Sequence, residues 1–199
     1  KIYIAGQEGM VGQAVFKMLN NNNKIINCPR SKLDLTNQNQ VNEWFKKNKP
    51  KIIVNAAGRV GGILDNYNYI DEYIYINSMI GFNLLSAAKK YEVKKFINLG
   101  SACIYPRNSI QPIKERYLLS SQLEKTNEGY ALAKIATLKY CEYINNKYKK
   151  DFISLQPTNL YGEGDNFDLK SSHVIPALIK KFHNAKVKNF SSVEVWGSG

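Results

Sequence analysis

Apolar and polar positions follow two periods in turn along this chain of 199 residues. Short apolar runs occur at KIYIA (1–5), KIIN (24–27), KIIVNAA (51–57), KKFINLG (94–100), DFISLQP (151–157) and VEVWG (193–197). The first five have apolar centres, as parallel strands covered on both faces do. Longer stretches with helical spacing lie between them, at 10–22, 37–48, 68–91, 128–149 and 173–185. In the first of these, Val11, Val15, Met18 and Leu19 fall on one side of a helix. Strands alternating with helices predict an α/β fold, a doubly wound parallel sheet with right-handed crossovers. There is no internal repeat and no low-complexity linker. The longest irregular stretches are 101–127 and 158–172, and loops of that length in a compact domain are often functional.

Composition narrows the class without naming a function. The chain is 44% hydrophobic and 22% charged, which is ordinary for a globular protein. Its length suits one sizeable core rather than two complete domains. No apolar run approaches the ~18 residues of a membrane span, so no membrane partner is expected. The chain opens on KIYIAG with no signal-peptide pattern and no initiator Met, and it stops after VEVWGSG. A fragment of a longer protein is the expectation. The three cysteines, Cys28, Cys103 and Cys141, are odd in number and lack metal-ligand spacing. Free thiols in a reducing, cytoplasmic compartment and no metal are expected. The net charge of +12 raises nucleic acid as a partner. The lysines are dispersed among asparagines without one dense block, which favours a small anionic partner or a simple lysine bias, and no nucleic acid.

The first strand runs into GQEGMVG, with Gly6, Gly9 and Gly12. Glycines there permit a tight turn, close approach of a pyrophosphate, and close packing of helix on strand. The helix start adds unpaired N–H groups for the phosphates. Gly6, Gln7, Glu8, Gly9, Met10, Val11 and Gly12 are therefore the candidate dinucleotide cradle; a plain turn is the simpler reading. NAD sites usually place an acid at the end of the second strand, for the ribose 2′-hydroxyl. Asn27-Cys28-Pro29-Arg30-Ser31-Lys32 contains none. Arg30 suits a 2′-phosphate, which favours NADP; a solvated loop arginine is the alternative.

Tyr130 and Lys134 sit four residues apart in a helical pattern and share a face. A neighbouring ammonium favours the phenolate, so Tyr130 is expected to have a lowered pKa and to act as general acid or base near neutrality. Ser101 follows the fourth strand, and Cys103 lies two residues on. Taken alone, Cys103 is more often a small buried hydrophobe than a catalyst. His173 alone reads as a histidine at a helix start, with Ser171 or Ser172 as cap.

Ser101, Tyr130 and Lys134 together resemble the short-chain dehydrogenase/reductase family. The two-residue glycine spacing of GQEGMVG is similar to its extended, nucleotide-sugar branch. NAAGRVGGI (55–63), GSACIYP (100–106), TNEGYALAKIA (126–136), QPTNLYGEGDNF (156–167) and SSHVIPALIKKFHNA (171–185) together resemble the GDP-L-fucose synthases over essentially the whole chain. The resemblance implies a Rossmann-like NADP-binding domain at 1–160 and the incomplete start of a substrate-binding region at 161–199. It implies NADPH-dependent conversion of GDP-4-keto-6-deoxy-D-mannose to GDP-L-fucose, by epimerisation at C3 and C5 and reduction at C4, in a homodimer. Cys103 would be the base and His173 the acid of epimerisation. Ser101 and Tyr130 would polarise the C4 oxygen, and Lys134 would hold the nicotinamide ribose. Leu99, Gly100, Ser101 and Ala102, with Pro157, Thr158, Asn159 and Leu160, would line the nicotinamide half of the cofactor, which His173 also borders. Lys181 and Trp196 would contact substrate. The chain departs from the family at Glu8, commonly an arginine, at Ala102, commonly a serine, and at Gly129, usually a proline. Another extended short-chain epimerase or 4-ketoreductase, and a non-catalytic NADP-sensing protein, remain the competing readings.

Overall fold

The computed structural model describes residues 1–20 and 24–195. Trp196 and the end of the expected sixth strand lie outside them; residues 193–195 form no strand. Five strands, β1 (Ile2–Ala5), β2 (Ile25–Ile26), β3 (Ile52–Asn55), β4 (Lys95–Leu99) and β5 (Asp151–Leu155), make one parallel sheet in the order β2-β1-β3-β4-β5. The helices are α1 (Met10–Leu19), α2 (Gln38–Asn48), α3 (Ile63–Asn68), α4 (Ile70–Lys90), α5 (Glu128–Tyr148) and α6 (Val174–Val187). This is the expected Rossmann-like architecture. From β1 the chain goes outward to β2, then crosses back to β3 on the other side. The strand order therefore reverses between β1 and β3, where the crevice of such sheets holds ligands.

Side-chain alternation along the strands builds two cores. Tyr3, Ala5, Ile53, Phe96 and Phe152 point to one face, under Val41 and Phe45 of α2, Leu84 and Leu85 of α4, and Cys141 and Ile144 of α5. Ile2, Ile4 and Val54 point to the other, against Val15, Phe16 and Leu19 of α1. Met18, expected on the buried side of α1, is 84% exposed. It lies outside the arc set by Val15 and Leu19. Cover on both faces also fails for β5: Phe152 is buried, but Ile153 and Leu155 are exposed because α1 reaches only the strands around β1.

The stretch expected as one helix at 68–91 is preceded by α3 and interrupted at Tyr69, whose ψ of 36° departs from helical geometry. Three short 3₁₀ turns, at Ala102–Ile104, Glu115–Tyr117 and Lys125–Asn127, punctuate the long loop before α5. They have too few residues to leave a periodic signal.

Phe96 is fully buried and stacks at 5.5 Å on Phe152. Phe96→Ala is expected to lower unfolding free energy by about 3–5 kcal/mol, read from equilibrium denaturation. A loss below about 1 kcal/mol would show that the sheet centre tolerates a void there.

Candidate active site

The turn after β1 separates what the fold needs from what a ligand needs. Gly6 has φ +78°, and a Cβ there would sit 2.7 Å from the Ala56 carbonyl and Ala57 Cα. A Cβ on Gly12 would overlap the Gly6 carbonyl oxygen. These two glycines are required by the turn and by the packing of α1 on β1. Gly9 is different: a Cβ there would meet only the Gly6 oxygen, at an ordinary 3.5 Å. The protein leaves Gly9 bare without internal cause, at the cap of α1. The first-turn N–H groups at Met10, Val11 and Gly12 have no partner within the helix. An open glycine beside such donors fits a pyrophosphate. The Gln7 Oε1 atom is buried without a hydrogen-bond partner among the described residues, a further polar group in the same turn.

Glu8, in this turn, meets the segment after β2 at Arg30. The Arg30 backbone N–H donates to Glu8 Oε2 at 3.2 Å, joining the glycine turn to the segment after β2. Both residues are exposed.

At the other end, β4 stops at Leu99 and its continuation runs alongside that of β5. Gly100 N donates to the Leu155 carbonyl (2.8 Å), and Ala102 N donates to the Pro157 carbonyl (3.0 Å). Ser101 N donates to Gln156 Oε1 at 2.9 Å. A side chain on Gly100 would collide with Gln156. The segments Gly100–Ala102 and Leu155–Pro157 thus lie side by side. Gln156 Nε2 is buried there without a partner among the described residues.

Ser101 caps the 3₁₀ turn that carries Cys103, its Oγ accepting from Cys103 N at 3.2 Å. Tyr130 comes from the first turn of α5 and shares a hydrogen bond with Ser101. Lys134, one turn on and 8% exposed, donates to the Leu99 carbonyl at 2.9 Å. Its Nζ lies 5.5 Å from the Tyr130 ring centroid. Ser101, Cys103, Tyr130 and Lys134 therefore form one cluster.

The expected direction of the Tyr130 pKa is overturned. Burial pushes the phenol up to about 12, Cys103 adds to the rise, and the Ser101 hydrogen bond opposes it. Desolvation sets the direction, and the neighbouring ammonium has itself been stripped of water: burial lowers Lys134 to about 8. Tyr130 is a protonated phenol at neutrality, hence a proton donor.

His173 enters from a different element, as the cap residue of α6. The loop before it is tied back: Gly62 N donates to the Ser171 carbonyl at 2.8 Å. A Cβ on Gly58, at the other end of the 58–62 loop, would lie 3.8 Å from Lys134 Nζ. The chain before His173 is thus bonded to the loop that approaches Lys134, while no hydrogen bond among the described residues joins His173 itself to the cluster. Lys181 donates to the Glu194 carbonyl at 2.9 Å.

Sequence reasoning missed the residues that hold this loop. Arg59 lies over the rings of Tyr69 and Tyr73, about 5.0 and 4.9 Å from their centroids, and pairs with Glu72. Asn77 accepts from Arg59 N (3.0 Å) and donates to the Arg59 carbonyl (3.1 Å). Tyr73 is fully buried, bonds Asp65, and meets the Tyr130 ring edge-on at 6.3 Å. The available signal was an asparagine on the apolar stripe of α4, between Tyr73 and Ile80.

The model of the NAD dependent epimerase/dehydratase family matches residues 2–199. The chain belongs to that family. It is 46% identical to the GDP-L-fucose synthase of Sinorhizobium fredii over 200 residues, covering 100% of this chain and 64% of that protein. The chain thus spans less than two thirds of this relative's length. Among solved structures it is similar to a GDP-6-OMe-4-keto-L-xylo-heptose reductase from Campylobacter jejuni, at 39% identity and TM-score 0.90, covering 94% of this chain and 54% of the reductase. It is also similar to a GDP-L-fucose synthetase from Naegleria fowleri bound to NADP, at 30% identity and TM-score 0.88, covering 100% of this chain and 66% of the synthetase.

The lowered Lys134 pKa has a consequence for stability. The unfolded chain keeps this lysine protonated up to about 10.5, whereas the folded chain releases the proton near 8. Between these values the unfolded state binds more protons, so the contribution of Lys134 becomes more favourable as pH rises. Denaturation of wild type and Lys134→Met at pH 7.5 and 10.5 is expected to show the difference moving toward wild type, by on the order of 3 kcal/mol. A pH-independent difference would mean that the ammonium is not desolvated.

Proposed function

We propose that this chain carries the NADPH-binding and catalytic groups of a GDP-L-fucose synthase. The observation that carries the proposal is the single cluster of Ser101, Cys103, Tyr130 and Lys134, because a ketoreductase alone has no use for a thiol beside its serine and phenol. The sequence similarity to a GDP-L-fucose synthase supports it. The division into a cofactor domain at 1–160 and a substrate region from 161 belongs to the same proposal. So does a homodimer, which exposed Phe82 and Tyr143 around an open cleft between α4 and α5 support. Three free cysteines suit a reducing cytoplasm.

NADPH is held by the glycine turn, with Arg30 toward its 2′-phosphate, Leu99–Ala102 and Pro157–Leu160 along its nicotinamide half, and Lys134 at the adjoining ribose. When bound it supplies the hydride that C4 accepts. The 4-keto group of GDP-4-keto-6-deoxy-D-mannose acidifies the C–H bonds at C3 and C5, since the electron pair left behind moves into an enolate. Cys103 removes the proton, and His173 returns one on the opposite ring face. Ser101 donates a hydrogen bond to the C4 oxygen throughout. Tyr130, kept protonated by burial, gives its proton to that oxygen as the C–H bond at C4 forms. Lys181 and Trp196 contact the GDP-sugar.

A second reading is a GDP-sugar C4 reductase without epimerisation, favoured by the similarity to the heptose reductase. Incubation with GDP-4-keto-6-deoxy-mannose and NADPH in D₂O separates the two. Deuterium at C3 and C5 of a GDP-L-fucose product supports the synthase, and a C4-reduced sugar without it supports the reductase.

Tyr130→Phe is expected to slow reduction by about 10²–10⁴ while NADPH still binds. A near-normal rate would mean that the proton comes from elsewhere. Cys103→Ser replaces the thiol by a far weaker acid of similar size. Mass spectrometry is expected to show a C4-reduced, unepimerised sugar with no solvent deuterium on carbon. Continued exchange at both carbons would reduce Cys103 to packing.

A further inference from the structure

We infer that Glu8 competes with Arg30 at the ribose 2′-position of the cofactor cradle, so that this chain discriminates only weakly between NADPH and NADH. The inference rests on the dinucleotide reading above and concerns a residue to which that reading gives no separate role.

In a doubly wound sheet the segment after β2 faces the adenosine ribose, and an acid there accepts from the 2′-hydroxyl of NAD. No residue from Asn27 to Lys32 is acidic. A carboxylate reaches the same place from the other side, because Glu8 Oε2 accepts from the Arg30 backbone N–H at 3.2 Å. The Glu8 carbonyl in turn accepts from Gln13 Nε2 of α1 at 2.8 Å, which holds the backbone of the turn. The acid found at the strand end in NAD sites is here supplied by the glycine turn.

Charge then decides the selectivity. Arg30 is exposed at this point, and its field extends to Asp34, whose carboxylate is already bonded to Thr36. The 2′-position thus faces one cation that attracts a phosphate and one carboxylate that repels it. The same carboxylate accepts a hydrogen bond from a 2′-hydroxyl. The two effects have opposite sign for the two cofactors. At an exposed site a charge pair a few ångströms apart amounts to about a tenfold change in affinity.

Glu8→Gln separates charge from geometry, since the amide oxygen still accepts from Arg30 N–H. The experiment is calorimetric titration of the full chain, wild type and Glu8→Gln, with 2′-phospho-ADP-ribose and with ADP-ribose at one fixed, low salt concentration. Neither ligand carries a nicotinamide, so the readout does not depend on turnover. Wild type is expected to bind the two within about tenfold of each other. Glu8→Gln is expected to bind 2′-phospho-ADP-ribose about tenfold more tightly and ADP-ribose a few-fold more weakly. Equal tightening of both would mean that Glu8 acts on the shared pyrophosphate, and no change would mean that it faces solvent; either overturns the inference. Binding of neither ligand to wild type would overturn the dinucleotide reading itself, a failure distinct from that of Glu8.

Discussion

A buried ammonium bonded to a strand-end carbonyl sets the geometry on which this site depends. Lys134 lies on α5 and Leu99 is the last residue of β4, so their hydrogen bond fixes the rotation and height of α5 over the sheet edge. A desolvated cation holds such a position only where an acceptor meets it. With Lys134 fixed, Tyr130 lies one turn earlier on the same face and meets Ser101. Further along α5, Cys141 and Ile144 reach the core beside Phe96 and Phe152. The placement of this side-chain cluster and the core packing are thus two results of one helix orientation.

The same burial fixes the chemistry. A Tyr-x-x-x-Lys pair in water would be read as a phenol acidified by its cation. Here the cation is bonded to a carbonyl and the phenol is removed from water, so the neutral phenol is favoured. That protonation state suits delivery of a proton to a developing alkoxide. The surrounding loop is held as firmly. Asn77 grips Arg59 from both sides of its peptide, and Tyr73 braces the Tyr130 ring from α4. A ring held on two sides loses little further freedom when a substrate arrives.

The glycine turn shows how a fold and a ligand divide their demands. Gly6 and Gly12 answer to steric limits within the protein, whereas Gly9 answers to a surface kept open. Beside it, the Glu8 carboxylate accepts from the Arg30 backbone N–H and adds a negative charge to the turn.

The sequence by itself determined the order of the five strands and the sheet type. Apolar runs at 51–57, 94–100 and 151–157 and helical spacing at 37–48 and 128–149 are local properties, written in consecutive residues. It also paired Tyr130 with Lys134, because spacing within a helix is a short-range fact, whereas Ser101 joined them only through the resemblance and the fold. The break at Tyr69, the exposure of Met18 and the bare outer face of β5 were not legible, since each depends on which neighbour covers which surface. The roles of Asn77, Arg59 and Tyr73 likewise arise between elements distant in the chain. So does the direction of the Tyr130 pKa. Water is partly excluded from that phenol by residues of α4 and of the turn after β4, and only the tertiary structure decides how much water remains.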